Sequence, residues 1–250
     1  MGYWLMKHLI SPVLRYFFAI RVEGIGHMPA TGPVILASNH VSFSDSVFLP
    51  LVLDRRVTFV AKAEYFEDPK TAWFFRAMGQ IPIKREGGSA SQRALDAARE
   101  VLESGGVFGI YPEGTRSPDG RLYKGHTGIA RLALQTRAPV LAVAMIGTRE
   151  AQPIGQVRPN IFRPITVRFS APMTFDHLAD RGDDPLVLRQ ITDEIMFELR
   201  TLSGQTYVNQ YCKRKGDDAV ASTEPARVRT TADVIGNGAN GQKTAGAARV

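Results

Sequence analysis

A chain of 250 residues with 44% hydrophobic content can bury a sizeable core as a single domain. One cysteine, Cys212, excludes an internal disulfide framework and a cysteine-based zinc site, which fits a reducing, cytoplasmic setting. A net charge of +7 and a pI near 9.7 favour an anionic partner. No nucleic-acid-binding module is visible, which leaves lipid headgroups and phosphorylated small molecules.

Residues 3–20 are rich in aromatic and aliphatic side chains, interrupted by Lys7, His8, Ser11 and Arg15. On a helix these four share one narrow face and leave a wide apolar face with Leu5, Leu9, Ile10, Val13, Leu14 and Phe17. Two basic residues and Pro12, in a stretch barely long enough to cross a bilayer, argue against a spanning segment. The lack of a small-residue cleavage site argues against a secretory signal. Residues 1–21 therefore read either as an amphipathic helix lying in a membrane surface or as a helix packed on the protein's own core.

Next, a Thr-Gly-Pro turn signal leads into Pro33–Ala37, an apolar run read as a buried strand, and a helix is expected from Ser42 to about Pro50. At their junction stands Ser38-Asn39-His40-Val41-Ser42-Phe43-Ser44-Asp45. A carboxylate accepting the proton of one imidazole nitrogen fixes the tautomer and leaves the other nitrogen free to take a proton, which makes a general base. Residues five apart on a regular helix stand about 140° apart, so His40 is expected before the first turn, its ring folded back onto Asp45. Asn39 or Ser42 would satisfy free backbone groups at the helix start. The alternative is a loop His and Asp without mutual contact.

Further along, Val57–Ala61 reads as a strand, Thr71–Met78 as a short aromatic helix and Gly79–Arg85 as an extended stretch ending in Lys84 and Arg85. Ser89–Leu102 has helical periodicity, capped by Ser89 or Ser91. Gly106–Tyr111 reads as a buried strand leading into Pro112-Glu113-Gly114-Thr115-Arg116-Ser117. That turn gathers a carboxylate, a hydroxyl and a guanidinium at one strand end. An arginine there suits a phosphate monoester, because its fixed fork of donors matches phosphate oxygens. Glu113 would accept from a substrate hydroxyl or orient Arg116; alternatively the two form an ordinary surface ion pair. A helix carrying Ile129 and Leu132, an apolar strand over Ala138–Gly147, an alternating strand over Ile165–Phe169 and a helix over Pro185–Leu202 follow. Asp183 or Asp184 would cap that last helix. Alternating strands and helices indicate an α/β fold, a central mixed sheet covered by helices on both faces. From Lys213 onward no aromatic residue occurs, and residues 213–250 read as a disordered tail behind a domain over 22–212.

Asn39-His40-x-Ser42-x-x-Asp45, Gly79-x-Ile81-x-x-x-Arg85 and Glu113-Gly114-Thr115-Arg116, in this order, resemble the glycerolipid acyltransferase family, in particular its bacterial 1-acyl-sn-glycerol-3-phosphate acyltransferases. The resemblance covers residues 22–205. It implies acyl transfer from an acyl thioester, acyl-CoA or acyl-carrier protein, to the free hydroxyl of a lysophospholipid. It further implies His40 as base, Asp45 as its orienting partner, and Arg85, Glu113, Gly114, Thr115 and Arg116 at the phosphate-bearing acceptor. The chain departs from the family at Ala142, where a second proline is common, which bears on the shape of the pocket wall there.

The expected setting is a membrane lipid surface, at the cytoplasmic face of the cell membrane. Neither a cofactor nor a metal is expected beyond the acyl-donor substrate: carboxylates do not cluster at ligand spacing. A Gly-x-Ser-x-Gly elbow is absent, which lowers a serine-hydrolase reading. Two alternatives stand beside the lysophosphatidate reaction: the same chemistry on another lysophospholipid, a glycolipid or glycerol 3-phosphate, and a non-catalytic lipid-binding module.

Overall fold

A computed structural model describes residues 2–84 and 90–213. In chain order the elements are α1 (Gly2–Phe17), β1 (Ile20–Glu23), β2 (Val34–Ser38), α2 (Asp45–Val52), β3 (Val57–Thr58), β4 (Val60–Lys62), α3 (Glu64–Glu67), α4 (Pro69–Ala77) and β5 (Ile81–Ile83). They continue with α5 (Ala90–Glu103), β6 (Val107–Ile110), β7 (Leu122–Tyr123), α6 (Gly128–Thr136), β8 (Val140–Ile146), α7 (Thr148–Ala151), β9 (Ile165–Phe169), α8 (Pro185–Ser203) and β10 (Tyr207–Val208).

Six strands form one sheet in the order β1-β9-β8-β2-β6-β3. β2 is parallel to β6 and β8 and is buried along its whole length, as a continuous apolar run between two parallel neighbours must be. β9 runs antiparallel to β8 and its residues alternate between buried and half-buried, so the sheet is mixed, as expected. Helices cover both faces. On one face α5, α6 and α8 contribute Leu102, Leu132, Ile191 and Ile195 to a core that reaches β2 through Ile35 and Ala37. On the other, α2 contributes Phe48, Leu49 and Val52 against Leu36 and Val143, and Ile10, Leu14 and Phe17 of α1 pack on the same cluster. Asp184 caps α8, accepting from the Leu186 amide.

Two elements differ from their expected bounds. The strand expected over Val57–Ala61 breaks at Phe59: β3 joins the main sheet, while β4 pairs with β5. Phe59 is buried and its amide donates to the Gln80 side chain instead of a strand neighbour, so a single apolar run serves two sheets. α2 begins at Asp45, because the residues before it are held in turns by side-chain bonds.

In α1 the polar residues are not the whole of the outward face: His8 and Arg15 are exposed, but Lys7 and Ser11 are half-buried. Lys7 donates to the Leu53 carbonyl beside Asp54, whereas Leu5 and Leu9 (64% exposed each), Val13 and Tyr16 point outward. Part of the helix is thus core and part is an exposed apolar stripe. Among the described residues no helix is long and apolar enough to cross a membrane. Arg85, Ser89 and the expected tail beyond Lys213 lie outside the described residues.

Because β2, β6 and β8 are parallel, their carboxyl ends meet at one sheet edge, and β9 starts there, with Thr166 opposite Ile146. β2 has β6 on one side and β8 on the other, so this edge is the crossover point where α/β sheets place ligands.

Candidate functional site

His40 follows β2 by two residues, and Asp45 opens α2. The His40 Nδ1 lies 2.9 Å from Asp45 Oδ2. The same carboxylate oxygen accepts the Val41 and Ser42 amides at 2.8 and 2.9 Å. Asp45 is fully buried, and its Oδ1 has no protein partner. A carboxylate this well supplied with donors accepts the Nδ1 proton, which leaves Nε2 as the lone-pair nitrogen of the neutral ring. The His40 side chain is 16% exposed, so the ring is held but reachable.

Tyr111, which follows β6, stacks on the imidazole with ring centroids 3.8 Å apart and planes 11° from parallel. Its hydroxyl bonds Ser46 of α2 at 2.7 Å, and Phe59 stacks on its other side. Burial, and behind it the charge of Asp45, raises the Tyr111 phenol well above its ordinary value, so the ring over His40 stays neutral.

The Pro112–Ser117 turn is fastened to the same loop. Gly114 adopts φ 73°, which a residue without a Cβ takes without strain, and its amide donates to the Tyr111 carbonyl. The Ser117 amide donates to the His40 carbonyl at 2.7 Å. The structure gives Glu113 different contacts from those expected of it. Its oxygens accept the His40 amide at 3.2 Å and the Tyr123 amide at 2.8 Å; they do not face Arg116. Burial pushes its carboxyl up to about 7 against those two bonds, with Asp45 and Asp119 adding to the rise. Glu113 therefore ties the His40 loop to the Tyr123 strand. Thr115 and Arg116 are half-buried, and their side chains make no hydrogen bond or ion pair with any described residue. Those are the groups the turn offers to a ligand. Lys124 lies over the Tyr211 ring at 5.5 Å.

Neither Ser42 nor Ser44 is placed as a nucleophile: Ser42 Oγ donates to the Gln152 carbonyl and pairs with Ser44 Oγ. Asn39 ties β2 to β8 rather than capping α2, since its amide group accepts from the Met145 amide and donates to the Met145 carbonyl and the Gln205 side chain. Asn39 was expected as a helix cap, not as this tie, and Tyr111 and Gln205 were not singled out in the sequence. Only Tyr111 left a trace there, as an aromatic residue set directly before Pro112-Glu113.

Comparison with known proteins places the chain in a family. A model of the acyltransferase family matches residues 19–146. A chloroplastic 1-acyl-sn-glycerol-3-phosphate acyltransferase of Arabidopsis thaliana is 32% identical over 158 residues, 60% of this chain and 44% of that protein. One from Limnanthes alba is 32% identical over 184 residues, covering 72% and 64%. The alpha form from Homo sapiens is 27% identical over 178 residues, covering 67% and 63%. The chain thus spans less than two thirds of the length of each of these relatives. The crystal structure of PlsC, the 1-acyl-sn-glycerophosphate (LPA) acyltransferase of Thermotoga maritima, superposes with a TM-score of 0.59 at 25% identity, over 78% of this chain and 80% of that one. With the family match spanning half of its residues, the chain belongs to the acyltransferase family.

Proposed function

We propose that this chain transfers a fatty acyl group from an acyl thioester to the free hydroxyl of 1-acyl-sn-glycerol 3-phosphate, forming phosphatidic acid. The observation that carries the reading is the His40 Nδ1–Asp45 Oδ2 contact of 2.9 Å, set beside a turn whose arginine side chain has no hydrogen-bond or ion-pair partner among the described residues. His40 Nε2 takes the proton of the acceptor hydroxyl as its oxygen bonds to the thioester carbonyl carbon. Asp45 stabilises the imidazolium that forms. Collapse of the tetrahedral adduct breaks the C–S bond, and the imidazolium proton goes to the leaving thiolate. No covalent enzyme intermediate is needed, and neither a cofactor nor a metal enters these steps. Arg116, with Thr115 beside it in the Gly114 turn, holds the acceptor phosphate; a phosphate-binding role for Arg85, which lies outside the described residues, rests on the motif resemblance alone. Glu113 serves this site by positioning the base loop.

The outward stripe of α1 supports work at a membrane surface: Leu5, Leu9, Val13 and Tyr16 are exposed on one side, and Phe162, seated against Phe17, extends it. A lipid acceptor drawn from the cytoplasmic face of a membrane would meet the site there. The experiment is thioester release with purified protein and palmitoyl-CoA or an acyl-carrier protein donor, with lysophosphatidate, other lysophospholipids and glycerol 3-phosphate as parallel acceptors. Release that depends on lysophosphatidate is the expected result. Preference for another acceptor replaces the substrate, and no release with any pairing overturns the enzymatic reading.

A further inference from the structure

The Arg116 turn occupies the β6 side of the His40 loop. On the β8 side lies a cleft of about 530 Å³ between the end of β8, the start of β9 and the Gly120 loop, and Val41, the residue next to the base, forms part of its wall. Ligand pockets commonly measure about 300–1,000 Å³, so this cleft admits more than a single phosphate group. Met145, Ile146 and Pro164 make its apolar lining, and Arg149 and Arg163 face it with one carboxylate, Glu150.

Those arginines are available. Among the described residues Arg163 has no hydrogen bond or ion pair, and Arg149 reaches only the Ser117 carbonyl, at 3.5 Å. Unpaired guanidinium groups over an apolar floor suit a ligand with phosphate groups at one end and a less polar arm at the other. The floor is also built into the base loop: Gln205 bonds both Asn39, at 2.8 Å, and the Gly120 carbonyl, at 2.7 Å. Asn39 directly precedes His40.

We propose that this cleft binds the phosphate-bearing pantetheine arm of the acyl donor, with Arg149 and Arg163 on its phosphates, so that the thioester enters the site from the β8 side. The inference rests on the acyltransferase reading above. Two substrates must meet at one base and both carry phosphate; the Arg116 turn is assigned to the acceptor, and its continuation through Ser117 and Gly120 forms the near border of the cleft. Donor and acceptor then converge on His40 without sharing a phosphate site.

The test is run on the full chain with Arg149→Ala, Arg163→Ala and the double variant; both residues are solvent-accessible, so the variants keep the fold. Steady-state kinetics vary the donor at saturating lysophosphatidate and the acceptor at saturating donor, and calorimetry titrates free CoA into each protein. The expected result is a rise of about ten-fold in donor KM and in the Kd for CoA per arginine removed, the loss of one charge-assisted contact, with acceptor KM unchanged. Dephospho-CoA and 4′-phosphopantetheine as competitors then show whether the arginines take the ribose phosphate or the phosphate next to pantetheine. Turnover with unchanged donor KM, or a rise in acceptor KM instead, overturns the inference while the reaction stands. Wild-type protein without acceptor-dependent release from any donor overturns the reaction itself.

Discussion

Asp45→Asn separates orientation of the base from its electrostatic support. In the native site one carboxylate oxygen, Oδ2, accepts the His40 ring proton and the amides of Val41 and Ser42, all between 2.8 and 2.9 Å, while Oδ1 is buried without a protein partner. The two backbone amides can only donate, so they force the asparagine oxygen into the Oδ2 place and send its NH2 to the Oδ1 side. The oxygen then still accepts from Nδ1, and the productive tautomer survives. What is lost is the negative charge facing the imidazolium. A hydrogen bond to a charged group contributes about 1.5–3 kcal/mol, so the barrier rises by about that much, and kcat falls by about 10- to 150-fold. Tautomer loss would cost about 10⁴-fold, as for the corresponding Asp-to-Asn change in the serine-protease triad. The assay is steady-state thioester release, with kcat and acceptor KM determined separately. A kcat within three-fold of wild type would refute the electrostatic role of Asp45. A 10⁴-fold loss would refute the argument that the two amides preserve the tautomer.

Three further perturbations probe the surroundings of the pair. Glu113 has its carboxyl raised from the ordinary 4.5 to about 7, so its ionisation opposes the folded state. The stability it contributes is fully present below pH 4.5 and is lost as pH rises through 7. At about 1.36 kcal/mol per pKa unit, the native protein should lose about 3 kcal/mol across that window relative to Glu113→Gln, measured by urea unfolding at pH 5 and 8; parallel pH profiles would rule this out. In Gly109→Ala the new Cβ would lie 2.2 Å from the Phe59 ring, which stacks on Tyr111 and through it on His40. Overpacking costs about 1–3 kcal/mol, and kcat should fall with Tm, whereas an unchanged kcat would show that the aromatic stack does not position the base. Leu5→Glu/Leu9→Glu changes two exposed side chains, so Tm should stay within a few degrees while binding to anionic vesicles drops by more than ten-fold. Equal partitioning would mean that the α1 stripe does not contact lipid.

Much of this fold was legible because its strands are short apolar runs closed by turn signals: Val34–Ser38, Val107–Ile110 and Val140–Ile146 fall where the sequence suggested. The His40–Asp45 pair was legible for another reason. Its spacing is workable only when the histidine precedes the helix, and Asp45 is the first residue of α2. The role of Glu113 was not legible, since a glutamate beside an arginine in sequence looks like its partner, and only the folded turn directs it to two backbone amides. Nor was the Tyr111 stack, which depends on β2 pairing with β6 so that Ala37 stands opposite Ile110. The outward direction of Leu5 and Leu9 was equally hidden, because hydropathy cannot say which side of α1 meets the core. The Arg149–Arg163 cleft is assembled from the ends of β8, β9 and α8 and the Gly120 loop, segments distant in sequence that only the folded chain brings together.

The central claim is that His40 is the base for acyl transfer to a lysophospholipid hydroxyl. Lysophosphatidate-dependent thiol release from palmitoyl-CoA or an acyl-carrier protein donor, measured for wild type and His40→Ala at equal folded concentration, tests it most directly. The account predicts release by the wild type and a loss of at least 10²-fold in the variant, the lower end of the range for general-base catalysis, with Tm little changed. A folded His40→Ala protein that turns over at the wild-type rate would contradict it.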